Sequence, residues 1–276
     1  MTWTTDVEYL LLDFETWSPV DMREKGVHNY MRHPKTKALC AAFAVITPAT
    51  RMPITVRSKT LVFPETELGE MDEYNAWSFL LKQAEGRVLV AHNLEFELLL
   101  LQRKAVEHNR PLNLKGILDT AALAQGCGLG RSLRQAAAMV GAKKLDEDGS
   151  LIKEFCTGPE KTYWDIVNHH RWKDLHLYCQ TDVEVMGDVM AALPFRGFDI
   201  ESPRQLVALE MNDNGWPVDM DSVRSMKAMA DINKEEALQA FLRNYPDTPE
   251  TFFGSSKQLK QFTRDRGIVM DSFDEQ

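Results

Sequence analysis

Residues 9–15 read Tyr-Leu-Leu-Leu-Asp-Phe-Glu, an apolar run that ends in two carboxylates separated by one phenylalanine. The run predicts a buried β-strand, and side chains alternate between the two faces of a strand. We therefore expect Asp13 and Glu15 to point to the same side, with Phe14 in the core. Two adjacent anions repel each other, and a hard divalent cation, Mg²⁺ or Mn²⁺, relieves that repulsion. The motif predicts half of a metal site, although a solvated strand end would have the same sequence.

Composition narrows the class of protein. The 276 residues suffice for one domain of about 200 residues and a smaller part. A net charge of -9 argues against wrapping nucleic acid in positive charge, but it permits a local grip on one strand end. The four cysteines are scattered without zinc-finger spacing, which predicts reduced thiols in the core or on the surface. The sequence has no secretory signal and no apolar run of about 20 residues, so we expect a cytoplasmic protein that is neither secreted nor bound to a membrane.

Hydrophobic periodicity predicts strands and helices in a definite order. Strands are expected at 9–15, 38–46, 54–56, 87–91 and 114–119. Helices are expected at 71–84, 94–105 with Asn93 as the cap, 132–140, 174–193, 203–212 and 221–241, followed by a short helix opened by a capping box at 255–258. Three early strands followed by strand-helix alternation predict an α/β domain over 1–194, with a mixed sheet flanked by helices. Residues 195–276 are expected to form a short, mostly helical segment.

Two further segments place acidic side chains where they could join Asp13 and Glu15. Glu97 follows the strand at 87–91, so it emerges at the carboxyl edge of the sheet, although the helix dipole alone favours acids in a first turn. Tyr178 and Asp182 are four residues apart on one helix and share a face. If that face packs against the first strand, Asp182 completes a carboxylate cluster. The alternative is a surface aspartate and a half-buried tyrosine.

These three motifs, in this order, resemble the exonuclease motifs of the DEDD superfamily. The tyrosine four residues before the last acid resembles the tyrosine subclass, and Leu177 stands where the histidine subclass has its base. The resemblance is closest to the proofreading domains of family-A, phage-type DNA polymerases. Further matching segments are His33-Pro34, Ala91-His92-Asn93, Asp119-Thr120, Ser132-Leu133, and residues 214–219 and 255–259, which look like early polymerase and thumb segments.

The resemblance implies a ribonuclease H-like fold and a 3′–5′ exonuclease. Such an enzyme releases nucleoside monophosphates from the 3′ end of single-stranded DNA by hydrolysis with two divalent cations, Mg²⁺ or Mn²⁺. By the same resemblance Asp13 bridges the ions, Glu15 and Asp182 hold the ion that carries the attacking water, and Glu97 supports the other. Tyr178 would orient the water.

The resemblance also implies substrate contacts and partners. Thr16 and Asn93 are expected to donate hydrogen bonds to the scissile nucleotide. Trp17 is expected to stack on its base, although a core position is the alternative. Nothing in the chain resembles the palm and fingers, so it should not polymerise alone. Its expected partners are a DNA 3′ end and a polymerase domain or subunit, in a bacterial or phage-infected cell.

One departure from the family leaves alternatives open. Glu97 stands where many relatives have aspartate, and its longer side chain could reduce activity. An RNA-trimming exonuclease of the same superfamily is one alternative to the DNA enzyme. A catalytically weak module that binds a 3′ end, or docks to a polymerase, is another.

Overall fold

A single mixed sheet forms the centre of the protein. The structure, a computed structural model, describes residues 7–47, 58–62, 73–142, 149–193, 198–246, 248 and 255–268. Its strands are β1 (Tyr9–Trp17), β2 (Lys37–Ile46), β3 (Lys59–Val62), β4 (Val88–Ala91) and β5 (Gly116–Asp119). Their order is β3-β2-β1-β4-β5; β2 is antiparallel to its two neighbours, β1 and β3, whereas β4 is parallel to its two neighbours, β1 and β5. The α/β, ribonuclease H-like mixed sheet that the sequence predicts is confirmed.

Helices that precede residue 215 cover both faces of this sheet. They are α1 (Met22–Arg32), α2 (Glu73–Ala84), α3 (Glu95–Glu107), α4 (Thr120–Gly126), α5 (Leu133–Val140), α6 (Ser150–Phe155), α7 (Tyr163–Val167), α8 (Trp172–Ala192) and α9 (Phe198–Asn214). The helices α10 (Met220–Asn244) and α11 (Ser256–Arg264) follow in the chain. Among the described residues, no helix combines the length and apolarity needed to cross a membrane. The strand predicted at 54–56 lies outside the described residues.

The central strand β1 divides its side chains between two hydrophobic clusters. Leu10, Leu12 and Phe14 pack in the cluster that contains residues of α2 and α3. Leu11 packs on the opposite face, in the cluster that contains residues of α8. Asp13 and Glu15 are in phase with Leu11 along the strand, so they face α8. The predicted alternation around Phe14 is therefore confirmed.

The predicted helix cap at Asn93 is wrong. Helix α3 begins at Glu95, and its N-cap residue Leu94 makes no side-chain capping bond. Asn93 instead has a positive φ of 66°, which asparagine tolerates better than most residues other than glycine. Its backbone N–H donates to Asp119 Oδ1 at 3.0 Å, at the end of the neighbouring strand. This contact between β4 and β5, rather than a helix cap, sets the conformation of Asn93.

Helix α9 satisfies the backbone of the edge strand β5. Ser202 Oγ accepts a hydrogen bond from the N–H of Ile117 at 2.8 Å and also donates to the Ile117 carbonyl. Gln205 Oε1 accepts from the N–H of Asp119 at 2.8 Å. Two side chains of a helix thus replace the pairing that another strand would provide, and they cover an edge that would otherwise remain unpaired.

The contacts within the chain divide it after Asn214, into Met1–Asn214 and Gly215–Gln276. Because α9 packs against β5, it lies in the first unit. Within the second unit, the rings of Phe241, Tyr245 and Phe262 lie against one another and join α10 to α11. Ser255 caps α11, as the sequence predicts: its Oγ accepts a hydrogen bond from the N–H of Gln258 at 3.3 Å. The assignment of 1–194 and 195–276 to an exonuclease and a polymerase-like segment stays a prediction.

Replacing Ser202 by alanine should destabilise the first unit. The change leaves two buried backbone groups of Ile117 without partners, which costs on the order of 1–3 kcal/mol. Thermal unfolding should begin at lower temperature, and hydrogen exchange of the Ile117 amide should accelerate. Ser225→Ala, at an exposed site on α10, is the control and should change stability by less than about 0.5 kcal/mol. Unchanged exchange at Ile117 would contradict this role of α9.

Candidate metal centre

The paired carboxylates of β1 lie directly against helix α8. Glu15 is buried, and Asp13 is partly exposed. Cys179 of α8 lies beside them, with its Sγ 3.4 Å from Asp13 Oδ2 and 3.5 Å from the Asp13 carbonyl oxygen. One ligand atom each from Asp13, Glu15 and Cys179 fall within 4.8 Å of one another. The structure therefore brings the first predicted motif and the helix of the third into contact.

Glu97 is buried, whereas Glu95 is partly exposed and contacts His28. Glu95 Oε1 lies 3.2 Å from His28 Nε2, at a partly exposed position between α1 and α3. Glu97 is only 4% exposed, and its Oε2 meets no hydrogen-bond partner among the described residues. Burial raises the pKa of Glu97 well above its ordinary value, and the charge of Asp13 is the next largest cause. Glu97, although longer than aspartate, is thus close enough to Asp13 for the two charges to interact.

Tyr178 and Asp182 are both buried, one helical turn apart on α8. Burial raises the pKa of Tyr178 far above its ordinary value of 10.0, and the charges of Asp182, Glu15 and Asp13 raise it further. A hydrogen bond with Asp182 also contributes. The phenol therefore remains protonated and can donate, but it cannot act as a base near neutral pH.

The neighbouring residues of α8 offer no histidine base. Leu177, at the position where the histidine subclass has its base, is exposed. His176 is half-buried with its ring against Trp172, and burial lowers its pKa to about 4. A neutral, half-buried imidazole on this side of α8 is part of the packing. The tyrosine pattern is the one that fits the helix.

Three thiols surround the carboxylate pair, which sequence reasoning missed. Cys156 Sγ lies 3.4 Å from Glu15 Oε2, Cys179 contacts Asp13, and Cys40 of β2 pairs opposite Glu15 in the sheet. Burial raises the pKa of all three above its ordinary value, so they are neutral thiols that donate S–H. Cys127 is exposed. The one available signal was the position of Cys179, three residues before Asp182 and hence on a similar face of the helix.

The three predicted substrate contacts differ in their surroundings. Trp17 is only 2% exposed, its Nε1 donates to the Gly158 carbonyl at 3.2 Å, and it offers no free face for a base. Thr16 is buried, with its Oγ1 2.8 Å from the hydroxyl of Tyr30. The expected stacking on Trp17 does not fit this packing, because the strand continues into the core beyond Glu15. Asn93 alone of the three lines an open cleft.

That cleft has a volume of about 880 Å³ and leads to Glu97. It lies between the start of α3, the loop before α5, and α9. Its polar lining includes His92, Asn93, Glu97, Asp119, Arg131 and Gln205. An open cavity of this size, with polar groups and a buried acid at one side, is suited to a small polar ligand or one unit of a polymer.

The donor set fits hard divalent cations. Carboxylate oxygens are the ligands that Mg²⁺ and Mn²⁺ prefer, and the structure brings those of Asp13 and Glu15 together on β1. Oε2 of the buried Glu97 has no hydrogen-bond partner among the described residues, and a nearby cation would compensate for this. That Glu97 and Asp182 complete the ligand set stays a prediction.

Comparison with known proteins gives one similarity over nearly the whole sequence. The chain is 26% identical over 274 residues to a DNA polymerase of Bacillus phage SP02, which covers 95% of this chain and 39% of that protein. The chain thus spans about two fifths of the length of this relative. No protein-family model matches the chain. The predicted resemblance to a phage DNA polymerase is confirmed.

Two solved structures are similar to part of the chain. A family B DNA polymerase from the hyperthermophilic archaeon Pyrobaculum calidifontis has 12% identity and a TM-score of 0.43, over 67% of this chain and 24% of that one. The RNase domain of the yeast Pop2 protein has 8% identity and a TM-score of 0.39, over 66% of this chain and 75% of that one. Both TM-scores are below 0.5, so the α/β fold is assigned from the order and direction of the strands in this protein and not from these two structures.

Replacing Glu97 by glutamine should stabilise the protein in the absence of divalent ions. The pKa of Glu97 is higher in the folded protein than its ordinary value of 4.5. The folded protein therefore loses stability as the pH rises from 4.5 through the raised pKa, because Glu97 must then ionise in a buried position. The neutral amide does not ionise, so the gain in unfolding free energy should be absent below pH 4.5 and present at pH 7. It should be on the order of 1–3 kcal/mol. Chemical denaturation at both pH values, with a chelator present, measures it, and an equal effect at both would contradict the buried-acid interpretation.

Proposed function

We propose that this protein is a metal-dependent exonuclease that shortens single-stranded DNA from its 3′ end. The observation that carries the proposal is the buried Glu97 carboxyl, whose Oε2 has no hydrogen-bond partner among the described residues and whose pKa responds to the charges of Asp13 and Glu15. An ionised carboxylate buried next to other acids needs a compensating positive charge, and without one it takes up a proton. A pair of divalent cations is the compensation that this donor set suits.

In this proposal, the four acids Asp13, Glu15, Glu97 and Asp182 hold two ions, Mg²⁺ or Mn²⁺. When bound, such ions lower the pKa of an attacking water and neutralise charge on the departing 3′ oxygen. The hydroxyl oxygen of Tyr178 accepts a hydrogen bond from the water and thereby orients it, while its single proton is donated to Asp182. Asp182 accepts from Tyr178 and fixes its position, which is consistent with the hydrogen bond that contributes to the raised pKa of Tyr178.

The products follow from the bond that breaks. Water forms a bond to the terminal phosphorus as the bond from phosphorus to the 3′ oxygen breaks. A nucleoside 5′-monophosphate leaves, and the remaining strand ends in a new 3′ hydroxyl. Asn93 and the cleft behind it provide a polar surface beside the acids for the terminal nucleotide. The acidic net charge suits a local grip on one end better than binding along a duplex.

Proofreading for a DNA polymerase is the cellular role that we propose. It is supported by the similarity to a phage DNA polymerase over 95% of the chain and by the three acidic motifs. A single-stranded 3′ end is the form in which a mispaired primer terminus reaches a nuclease site. In this proposal the partner is a polymerase domain or subunit.

Asp13→Asn and Asp182→Asn should each lower exonuclease activity by at least about 100-fold, because each removes a charge proposed to hold the ions. The assay is the shortening of a 5′-labelled DNA oligonucleotide in Mg²⁺ or Mn²⁺, which yields a ladder from the 3′ end. Asp188→Asn, an exposed change on the same helix, is the matched control and should leave the rate unchanged.

The same assay separates the competing functions. A ladder on RNA but not on DNA would assign an RNA-trimming enzyme. Retention of the oligonucleotide without shortening would assign a binding module. Full activity in Asp13→Asn would rule out the proposed site.

Tyr178→Phe should slow cleavage between about tenfold and a hundredfold, since it removes a hydrogen bond to a ligand but no ligand. Manganese binding, measured by titration calorimetry, should stay close to that of the unaltered protein. Because the pKa of Tyr178 is raised, the rate should not titrate with a phenol anywhere below pH 10. A loss of activity in the unaltered protein with an apparent pKa near 9 that disappears in Tyr178→Phe would contradict this role.

A further inference from the structure

The thiol of Cys179 lies beside the carboxylates of Asp13 and Glu15, although hard ions such as Mg²⁺ bind oxygen rather than sulfur. Cys179 Sγ is 3.4 Å from Asp13 Oδ2, and it shares with Asp13 and Glu15 a space in which the three ligand atoms lie within 4.8 Å of one another. Sulfur is a poor ligand for Mg²⁺ but a strong one for Zn²⁺ and softer divalent ions. The position of this thiol therefore bears on which ions the site can take.

The spacing of the three groups suits one ion of that kind. Zinc binds cysteine sulfur at about 2.3 Å and carboxylate oxygen at about 2.0–2.2 Å, usually in tetrahedral geometry. Two such ligands on one ion lie about 3.6 Å apart, by the tetrahedral angle. The observed separation of 3.4 Å between Cys179 Sγ and Asp13 Oδ2 is close to that value. Direct ligation therefore needs little movement of helix or strand.

We propose that Asp13, Glu15 and Cys179 form a site for a thiophilic divalent cation, Zn²⁺ being the biological example, with Cys179 Sγ as a direct ligand. The inference rests on the proposed function in taking the carboxylates as an ion site. It adds to that function a means by which the choice of ion controls the enzyme. The Cys179 proton passes to bulk water when the sulfur binds the ion.

A second observation points to an ion in the same place. Glu97 Oε2 is buried without a hydrogen-bond partner among the described residues, and Glu97 is close enough to Asp13 for their charges to interact. A tetrahedral ion held by Asp13, Glu15 and Cys179 has one position left, which water can fill. Glu97 lies outside the group of ligand atoms within 4.8 Å of one another, and its charge acts on Asp13 from beyond that group.

The two other thiols of the cluster have different roles. Cys40 hydrogen-bonds to Cys179 from β2, which fixes the position of the sulfur. Cys156 contacts Glu15 Oε2 from the end of α6 and lies outside the three-ligand group. The proposal therefore assigns the direct bond to Cys179 and not to Cys156. This distinction makes the assignment testable within one cluster.

The consequence for the enzyme is competition. A thiophilic ion bound through Cys179 occupies both Asp13 and Glu15, so Mg²⁺ cannot use them at the same time. Micromolar concentrations of Zn²⁺ should then inhibit cleavage supported by millimolar Mg²⁺. Cys179→Ser, which keeps a hydrogen-bonding side chain of similar size, should require at least about tenfold more Zn²⁺ for the same inhibition.

The direct test uses Cd²⁺ with the full chain and measures ultraviolet absorbance. Cadmium bound to a thiolate gives a charge-transfer band that cadmium bound only to oxygen lacks. The unaltered protein and the Cys156→Ser and Cys127→Ser variants should give the band at one equivalent of Cd²⁺, and Cys179→Ser should not. Asp13→Asn, which keeps the thiol, should weaken Cd²⁺ binding by at least about tenfold. Circular dichroism of each variant confirms that it is folded.

The outcomes separate this inference from the proposed function. A band that persists in Cys179→Ser, or is lost in Cys156→Ser, overturns the assignment of the sulfur ligand. DNA cleavage with no band in the unaltered protein also overturns it, while the exonuclease stands. A band that depends on Cys179, in a protein that never shortens DNA, supports the ion site and rejects the nuclease. If Cys179→Ser fails to fold, Asp13→Asn still decides, because an undiminished Cd²⁺ affinity there overturns the site.

Discussion

Electrostatic repulsion among buried acids is the constraint on which the centre of this structure depends. Glu97 is almost wholly buried, and the charges that raise its pKa come from Asp13, Asp119 and Glu15. A protein selected only for stability would replace such a group by an apolar one. The scaffold instead holds the acids in place from both sides of the sheet. Their retention is a reason to assign function to this point of the fold.

The scaffold meets this constraint with rigid elements. Strand β1 lies between β2 and β4, and its apolar side chains contribute to the clusters on both faces. The pairing of β1 with β2 shifts register between Glu15 and Thr16, directly after the second acid. Such irregularities are common beside active sites, where they redirect a strand. Helix α8, with its buried face against β1, then brings Tyr178, Cys179 and Asp182 to the acids.

The thiol cluster adds a second property to the same place. Three neutral thiols around two carboxylates give the site both hard and soft ligands, so the identity of the ion becomes a variable. Side chains of a helix also complete the edge of the sheet, where Ser202 and Gln205 of α9 accept hydrogen bonds from the backbone of β5 in place of another strand. In both cases a few side chains on helices complete what the sheet leaves open.

The sequence by itself determined the local patterns. The apolar run before Asp13 determined β1 and the common direction of Asp13 and Glu15, and the spacing of Tyr178 and Asp182 determined their shared face. Only the tertiary structure decided that Glu97 rather than Glu95 is buried, that Trp17 is in the core, and that Asn93 takes a left-handed conformation. It also brought Cys40, Cys156 and Cys179 together. Periodicity reports which face a residue occupies, whereas these contacts join segments far apart in sequence, and packing across the sheet decides them.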